Sequence, residues 1–257
     1  MKTTLFAVAL VVALSLSAAA QHSKTPAMSQ HRAGQATGDQ EIKDFPSGIP
    51  PSLCNPCLFY GGDLDVNDIN AAGMSDENTL LIVGGATTWG SVIIPAGVTA
   101  KVEGILFNVQ ADAAFDPLTL AYDIHTGITE GSGGTSIASG SGPALVQATG
   151  RNFLGLNEYT LEVSLSSPIT LTPGQYWFNV QPQCLNTLDG SCSVFRQFVS
   201  NTTMTHANNI HGSWQPGHQM FLNGAIFGIS WGNWCDPDIG FNAAQCSALS
   251  FGLRGTE

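Results

Sequence analysis

Three histidines lie close together in the segment THANNIHGSWQPGH, near the C-terminal end of the chain. Imidazole nitrogens are common ligands of zinc and copper, so His206, His211 and His218 are candidate metal ligands. Their spacings of five and seven residues match no standard helical or CxxC-type ligand set. The alternative is that they are solvated loop residues, and the sequence leaves both interpretations open.

Tryptophans, acids and amides in the same region are candidates for sugar binding. Indole faces stack on the C–H surfaces of sugar rings, and carboxylate or amide groups bond to sugar hydroxyls. The candidate carbohydrate-binding residues are Trp214, Trp231, Asn233, Trp234 and Asp236. Core packing is the alternative role for each of the indoles.

The segment GGDLDVNDINAAGMSDENT carries closely spaced acids and amides, which are the oxygen ligands that calcium prefers. The candidate ligands of a structural calcium ion are Asp63, Asp65, Asn67 and Asp68. The segment is not an EF-hand, because Asp68 occupies the position of the required glycine and Met74 that of the bidentate glutamate. A solvated turn is the alternative, and no other cofactor is indicated.

Motifs of enzyme active sites are missing from the sequence. It contains no GxSxG, no HExxH, no phosphate-binding loop and no dinucleotide fingerprint. A carboxylate pair for glycoside hydrolysis stays open among the 19 acids, because the separation of two acids in space decides that chemistry. The sequence therefore favours a non-catalytic extracellular module, either glycan-binding or part of a cell-surface matrix. The alternative is a secreted zinc or copper enzyme that acts on polysaccharide through the three histidines.

The N-terminus has the features of an export signal. Lys2 is followed by an apolar run over residues 5–16 and by three alanines at 18–20, which predicts a signal peptide over 1–20. No other uncharged apolar run approaches the roughly 18 residues of a membrane-spanning helix. We therefore expect a secreted protein, extracellular or periplasmic, without a membrane span.

Charge excludes one class of partner. Removal of residues 1–20 leaves seven Lys and Arg residues against 19 acids, a formal charge of −12. The remaining cations are scattered along the chain rather than grouped in a basic stripe, so nucleic acid is not an expected partner.

The six cysteines form three close pairs in the exported part of the chain. Export favours disulfides, and the short spacings predict the local bridges Cys54–Cys57, Cys184–Cys192 and Cys235–Cys246. CNPC could also be a redox dithiol or half of a zinc site. No βαβ pattern lies beside it and no second CxxC completes a set of four thiolates, so we favour the structural disulfide.

Residues 21–53 are polar, rich in turn-forming residues and almost free of large apolar side chains, which predicts a flexible leader. Such a leader could add a strand to a neighbouring copy and make the chain a self-assembling structural subunit. The apolar residues of the leader are spaced too irregularly to lie on one face of a strand; they are Ile42, Phe45, Ile49 and Leu53. A disordered spacer is therefore the favoured interpretation.

Short apolar runs between turn signals recur from Leu80 onward, and several alternate with period two. In EYTLEVSL the apolar set faces the core, and the polar set Glu158, Thr160, Glu162 and Ser164 faces the other way, which predicts a half-buried strand. The residues predicted to point inward are Tyr159, Leu161, Val163, Leu165, Leu120, Tyr122, Ile124, Tyr176, Phe178 and Val180. With no helical periodicity after the signal peptide, the pattern predicts one all-β domain over 54–257, an antiparallel β-sandwich of jelly-roll type.

Five segments carry a resemblance to a known group of proteins. They are FYGGDLDVNDINAAGMSDENT, VIIPAGVTAKVEGILFN, YDIHTGITEGSGGTSIASGSG, LNEYTLEVSLSSPITLTPGQYWFNVQP and LSFGLRGT. Over most of residues 59–257 the chain resembles a group of secreted bacterial β-sandwich proteins without assigned biochemistry. The resemblance implies the fold and the export, and it implies no activity. The three cysteine pairs and the His-rich stretch depart from the pattern of the group.

Overall fold

A computed structural model of the chain describes residues 27–29, 51–64, 72–75, 86–111, 117–153, 155–183, 197–202, 214–224, 228–233 and 248–257. None of these residues is in an α-helix. The strands are β1 (Ala27–Ser29), β2 (Cys57–Tyr60), β3 (Ala72–Ser75), β4 (Thr87–Ile94), β5 (Ala100–Ala111), β6 (Thr119–Thr126), β7 (Thr135–Phe153), β8 (Leu156–Leu171), β9 (Gly174–Pro182), β10 (Phe198–Thr202), β11 (Gln215–Gly224), β12 (Ile229–Asn233), β13 (Ala248–Leu249) and β14 (Phe251–Thr256). The predicted all-β class is confirmed.

The strands pair antiparallel in the order β1-β3-β10-β5-β8-β7-β6-β9-β4-β11-β12, and β14 joins β5 to β2. The long strand β7 connects the two parts of this curled sheet. Its first part, 135–143, pairs with β6, and its second part, 144–153, pairs with β8. We call the part around β5, β8, β14 and β2 the β5 sheet, and the part formed by β6, β9, β4, β11 and β12 the β9 sheet.

The hydrophobic core lies between the β5 sheet and the β9 sheet. Phe251 of β14 stands at its centre, with ring centroids 5.1 Å from Phe59, 5.5 Å from Phe107 and 6.0 Å from Phe178. Phe59 and Phe107 belong to the β5 sheet and Phe178 to the β9 sheet, so one ring contacts both layers. The antiparallel sandwich-like arrangement is thus as predicted.

The predicted inward residues of three strands lie in this core. Leu120 and Ile124 of β6, Phe178 and Val180 of β9, and Leu161 of β8 are buried. Because successive side chains of a strand point to opposite faces, their sequence neighbours point to the outer faces of the two sheets.

The structure corrects the prediction that β8 is buried on one face only. Glu158, Thr160 and Glu162 point away from the core, yet each is at most 2% exposed. Glu158 pairs with Arg151 and Glu162 pairs with Arg254, and segment 51–64 contacts the same outer face. The Ser52 hydroxyl donates to Gln147 Oε1 of β7 at 2.9 Å, for example.

Segment 51–64 also carries the first predicted disulfide. Cys54 and Cys57 are bonded and pack with Tyr60 against Leu106, which points outward from β5. Cys54, the first residue of the predicted domain, is therefore buried against the β5 sheet. The other two predicted bridges, Cys184–Cys192 and Cys235–Cys246, lie outside the described residues and stay predictions.

The predicted leader has two described parts. Residues 27–29 form β1, which pairs antiparallel with β3. Residues 51–53 form a turn whose Leu53 packs against the disulfide cluster. In the described part of the chain, no helix has the length and apolar character needed to cross a membrane.

Candidate functional site

The outer face of the β9 sheet carries a cluster of large aromatic side chains. Trp89 of β4, Trp177 of β9 and Phe221 of β11 are buried there, together with Ile128. Trp231 of β12 packs against the same cluster and is only partly buried. We call these five residues the aromatic cluster. They lie on the side of the sheet opposite the core. Val92 and Phe178 point into the core, and Trp89 and Trp177 lie an odd number of residues from them in the same strands, so their side chains point the opposite way.

The ring of His125 in β6 packs against the rings of Trp89 and Trp231. Its ring centroid lies 4.4 Å from that of Trp89 and 5.9 Å from that of Trp231. The Trp89 and Trp231 rings are 5.3 Å apart and inclined at 45°. Tilted ring pairs at such distances contribute roughly 0.5–1.5 kcal/mol each beyond the area they bury. The rings therefore hold a defined arrangement on the outer face of the sheet.

The loop between β6 and β7, residues 127–134, folds over this cluster. Its tip is a tight turn in which Thr129 N donates to Ser132 O at 3.0 Å and Ser132 N to Thr129 O at 2.9 Å. The Gly131 N–H donates to Trp231 O at 3.1 Å. A Cβ on Gly133 would lie 2.3 Å from the Trp231 ring, so only glycine lets the indole rest against the loop backbone.

A carboxylate is fixed beside these rings. Asp123 Oδ1 accepts a hydrogen bond from Ser136 Oγ at 2.7 Å, and Oδ2 lies 2.9 Å from His125 Nε2. The second contact is within ion-pair distance but lacks hydrogen-bond geometry. His125 Nδ1 lies 2.5 Å from Gly133 O, and because a carbonyl only accepts, Nδ1 carries the proton of that bond. The Asp123 side chain is 32% exposed and open to a ligand.

Two features of the aromatic cluster are unfavourable in themselves. The indole N–H of Trp177 is buried and has no acceptor among the described residues, which costs about 1–3 kcal/mol. Trp231 has a φ of 51°, a left-handed conformation that costs a bulky residue on the order of 1–2 kcal/mol. Strain and unpaired groups of this kind concentrate at functional sites.

The structure separates the residues predicted to form a sugar platform. Trp231 and Asn233 lie in β12, and Trp231 packs against the aromatic cluster. Trp214 is fully buried in the core, where its indole N–H donates to Glu257 Oε1 at 2.7 Å, and it presents no face to a ligand. Trp234 and Asp236 lie outside the described residues.

Sequence reasoning missed Trp89, Trp177, Asp123 and His125. The signal was present, because the alternation that points Phe178 inward also points Trp177 outward, and a large aromatic on an outer strand face is a sign of a covered or functional surface.

A second polar group of residues lies on the outer face of the β5 sheet, between segment 51–64 and strands β7 and β8. The Tyr60 hydroxyl donates to Asp63 Oδ1 at 2.5 Å. Arg151 contacts Asp63 Oδ2 through Nη1 at 3.1 Å and contacts Glu158 Oε2 through Nε. The Ser200 hydroxyl donates to the other oxygen of Glu158 at 2.7 Å. We call Tyr60, Asp63, Arg151 and Glu158 the polar clamp.

Burial and charge set the ionisation of the polar clamp. Burial raises the pKa of Tyr60 well above its usual value of 10.0, and the adjacent Asp63 carboxylate raises it further. Burial alone would lower the pKa of Arg151, but the charges of Glu158 and Asp63 outweigh it and raise that pKa. A neutral phenol and a fixed guanidinium suit a structural contact that holds segment 51–64 on the sheet.

The candidate metal ligands fall mostly outside the described part of the chain. Asp63 is engaged by Tyr60 and Arg151, whereas Asp65, Asn67 and Asp68 are not described. His218 lies in β11, and His206 and His211 are not described. Among the described residues, no three His, Cys, Asp or Glu side chains converge as a metal site would require.

Comparison of the chain with protein families, with curated proteins and with solved structures found no match. Function must therefore be argued from the two sites themselves.

Proposed function

We propose that this protein is an exported, non-catalytic module that binds glycans through the outer face of its β9 sheet. The observation that carries the proposal is the partly exposed Trp231 indole, held in a cluster with His125 beside the fixed and partly exposed carboxylate of Asp123. An aromatic face next to a fixed hydrogen-bond acceptor is the combination that sugar recognition needs.

The chemistry of a sugar ring fits each part of this surface. Its C–H face is apolar and packs on an indole, while its hydroxyls donate to a carboxylate that is already oriented. Asp123 is oriented by Ser136 before any ligand arrives, so little conformational entropy is lost on binding. The predicted export signal and extracellular location support the proposal, because polysaccharides occur outside the cell.

The test is binding of the mature chain to a panel of polysaccharides, with Trp231→Ala as the main variant. Loss of the indole should weaken binding by about 1 kcal/mol, roughly fivefold in Kd, because the stacking contact is removed. Affinity electrophoresis or calorimetry measures this, and circular dichroism checks that the domain is folded.

The control is Leu145→Ala, which removes an apolar side chain that is 46% exposed on β7. We expect it to bind as the unmodified chain does. Equal weakening by both variants, or no binding by the unmodified chain to any polysaccharide, would contradict the proposed function.

A further inference from the structure

Trp177 carries a hydrogen-bond donor that no described residue accepts. Its side chain is buried on the outer face of the β9 sheet, and its Nε1–H has no acceptor in the part of the chain that the structure describes. Trp89 and Trp214 differ, since the first donates to Thr87 Oγ1 at 3.0 Å and the second to Glu257 Oε1 at 2.7 Å. A phenylalanine would fill most of the space of Trp177 without an unpaired donor, so packing alone does not account for the indole.

The unpaired N–H of Trp177 belongs to the same cluster as the left-handed backbone of Trp231. Trp177 is the cross-strand neighbour of His125, whose ring contacts Trp231. Trp231 has the left-handed backbone conformation, and the 127–134 loop rests on its indole. The loop buries Ile128 in the cluster, while Thr129, Glu130 and Ser132 are exposed. Displacement of this loop would uncover the aromatic cluster beneath it.

The charges around the cluster select the class of ligand. Asp123 and the exposed Glu130 place negative charge at this surface. The cations among the described residues are Lys101, Arg151 and Arg254, and they belong to β5, the second part of β7 and β14. A uronic acid or a sulfated sugar would be repelled by these carboxylates, whereas a neutral sugar can donate its hydroxyls to them.

We propose that Trp177 is a further binding residue. On displacement of the 127–134 loop, its indole N–H donates to a hydroxyl or ring oxygen of a neutral sugar residue stacked in the cluster. This inference rests on the proposed function, and it adds both the neutral class of the glycan and a second indole that contacts it.

The experiment measures binding of the mature chain to soluble neutral polysaccharides (glucan, mannan and xylan) and to anionic ones (polygalacturonate and alginate). Trp177→Phe is compared with Trp214→Phe, a matched change at a buried indole whose N–H already donates to Glu257. We expect Trp177→Phe to weaken neutral binding about fivefold, and Trp214→Phe to leave it unchanged while losing more thermal stability. Replacement of Trp177 by 3-benzothienylalanine, which exchanges N–H for sulfur at nearly constant ring size, separates the donor from the packing.

Binding by Trp177→Phe and by the benzothienyl variant with the affinity of the unmodified chain would overturn the role of Trp177. Preference of the unmodified chain for the anionic polysaccharides would overturn the neutral class. In both cases the proposed function survives, because a glycan is still bound. A lack of binding to every polysaccharide would remove the proposed function and this inference together.

Discussion

Replacement of Arg151 by methionine is expected to destabilise the domain by about 3–5 kcal/mol, the largest effect that we predict. The guanidinium is the cation that the polar clamp places against both Asp63 and Glu158, whose side chains are 6% and 1% exposed. Without it, two buried carboxylates face each other across the clamp. Urea unfolding at pH 7, followed by tryptophan fluorescence, gives the change in unfolding free energy.

Two further variants make this prediction specific. Lys101→Met removes an exposed cation of β5 and should change stability by less than about 0.5 kcal/mol. Adding Glu158→Gln to Arg151→Met should recover part of the loss, because only one of the two carboxylates that lose the guanidinium is then charged. An Arg151→Met chain as stable as Lys101→Met would show that the clamp does not hold segment 51–64 on the sheet.

Alkaline solution is expected to destabilise the domain through Tyr60. The folded chain raises the pKa of this phenol well above 10.0, so below pH 10 the stabilisation is fully present. Above pH 10 the unfolded chain loses the phenol proton while the folded chain retains it, and stability falls with rising pH. The fall is on the order of 1 kcal/mol per pH unit for one such group, and it stops above the raised pKa.

The contribution of Tyr60 is isolated with Tyr60→Phe, because every other ionisable group is common to the two chains. At pH 7 this variant should be the less stable chain, because it lacks the hydroxyl that donates to Asp63. Its stability should then decline less steeply above pH 10, and the two curves of unfolding free energy should converge. Parallel curves from pH 9 to 12 would mean that the phenol ionises as freely in the folded chain as in the unfolded one.

The strand pattern could be predicted from local sequence because the alternation of apolar and polar residues repeats within a single strand. The inward residues Leu161, Phe178 and Ile124 follow from that pattern, and the disulfide Cys54–Cys57 from its spacing. Burial of Glu158 could not be predicted in this way. Its charge partner Arg151 comes from β7, and Arg151 also pairs with Asp63, which belongs to a segment almost a hundred residues earlier in the chain.

Of the rings at the candidate site, only that of Trp231 was predicted from the sequence. Trp231 stands out because Asn233, Trp234 and Asp236 follow it closely in sequence. Trp89 and His125 lie more than a hundred residues before it and meet it only through the order of strands in the β9 sheet. Trp214 shows the opposite error. Its indole is buried in the hydrophobic core and its N–H donates to Glu257, and no local pattern carries these contacts.

The most direct test of the glycan-binding surface is an NMR titration of the ¹⁵N-labelled mature chain with the soluble neutral polysaccharide that it binds best. Each indole N–H gives its own signal, and substitution of single tryptophans assigns them. The signals of Trp177 and Trp231 are predicted to shift, and Trp177 most, since its unpaired N–H gains an acceptor. The signal of Trp214, which is paired with Glu257 in the core, is predicted to stay in place. Unchanged Trp177 and Trp231 signals at saturating polysaccharide would contradict the assignment of the β9 sheet as the binding surface.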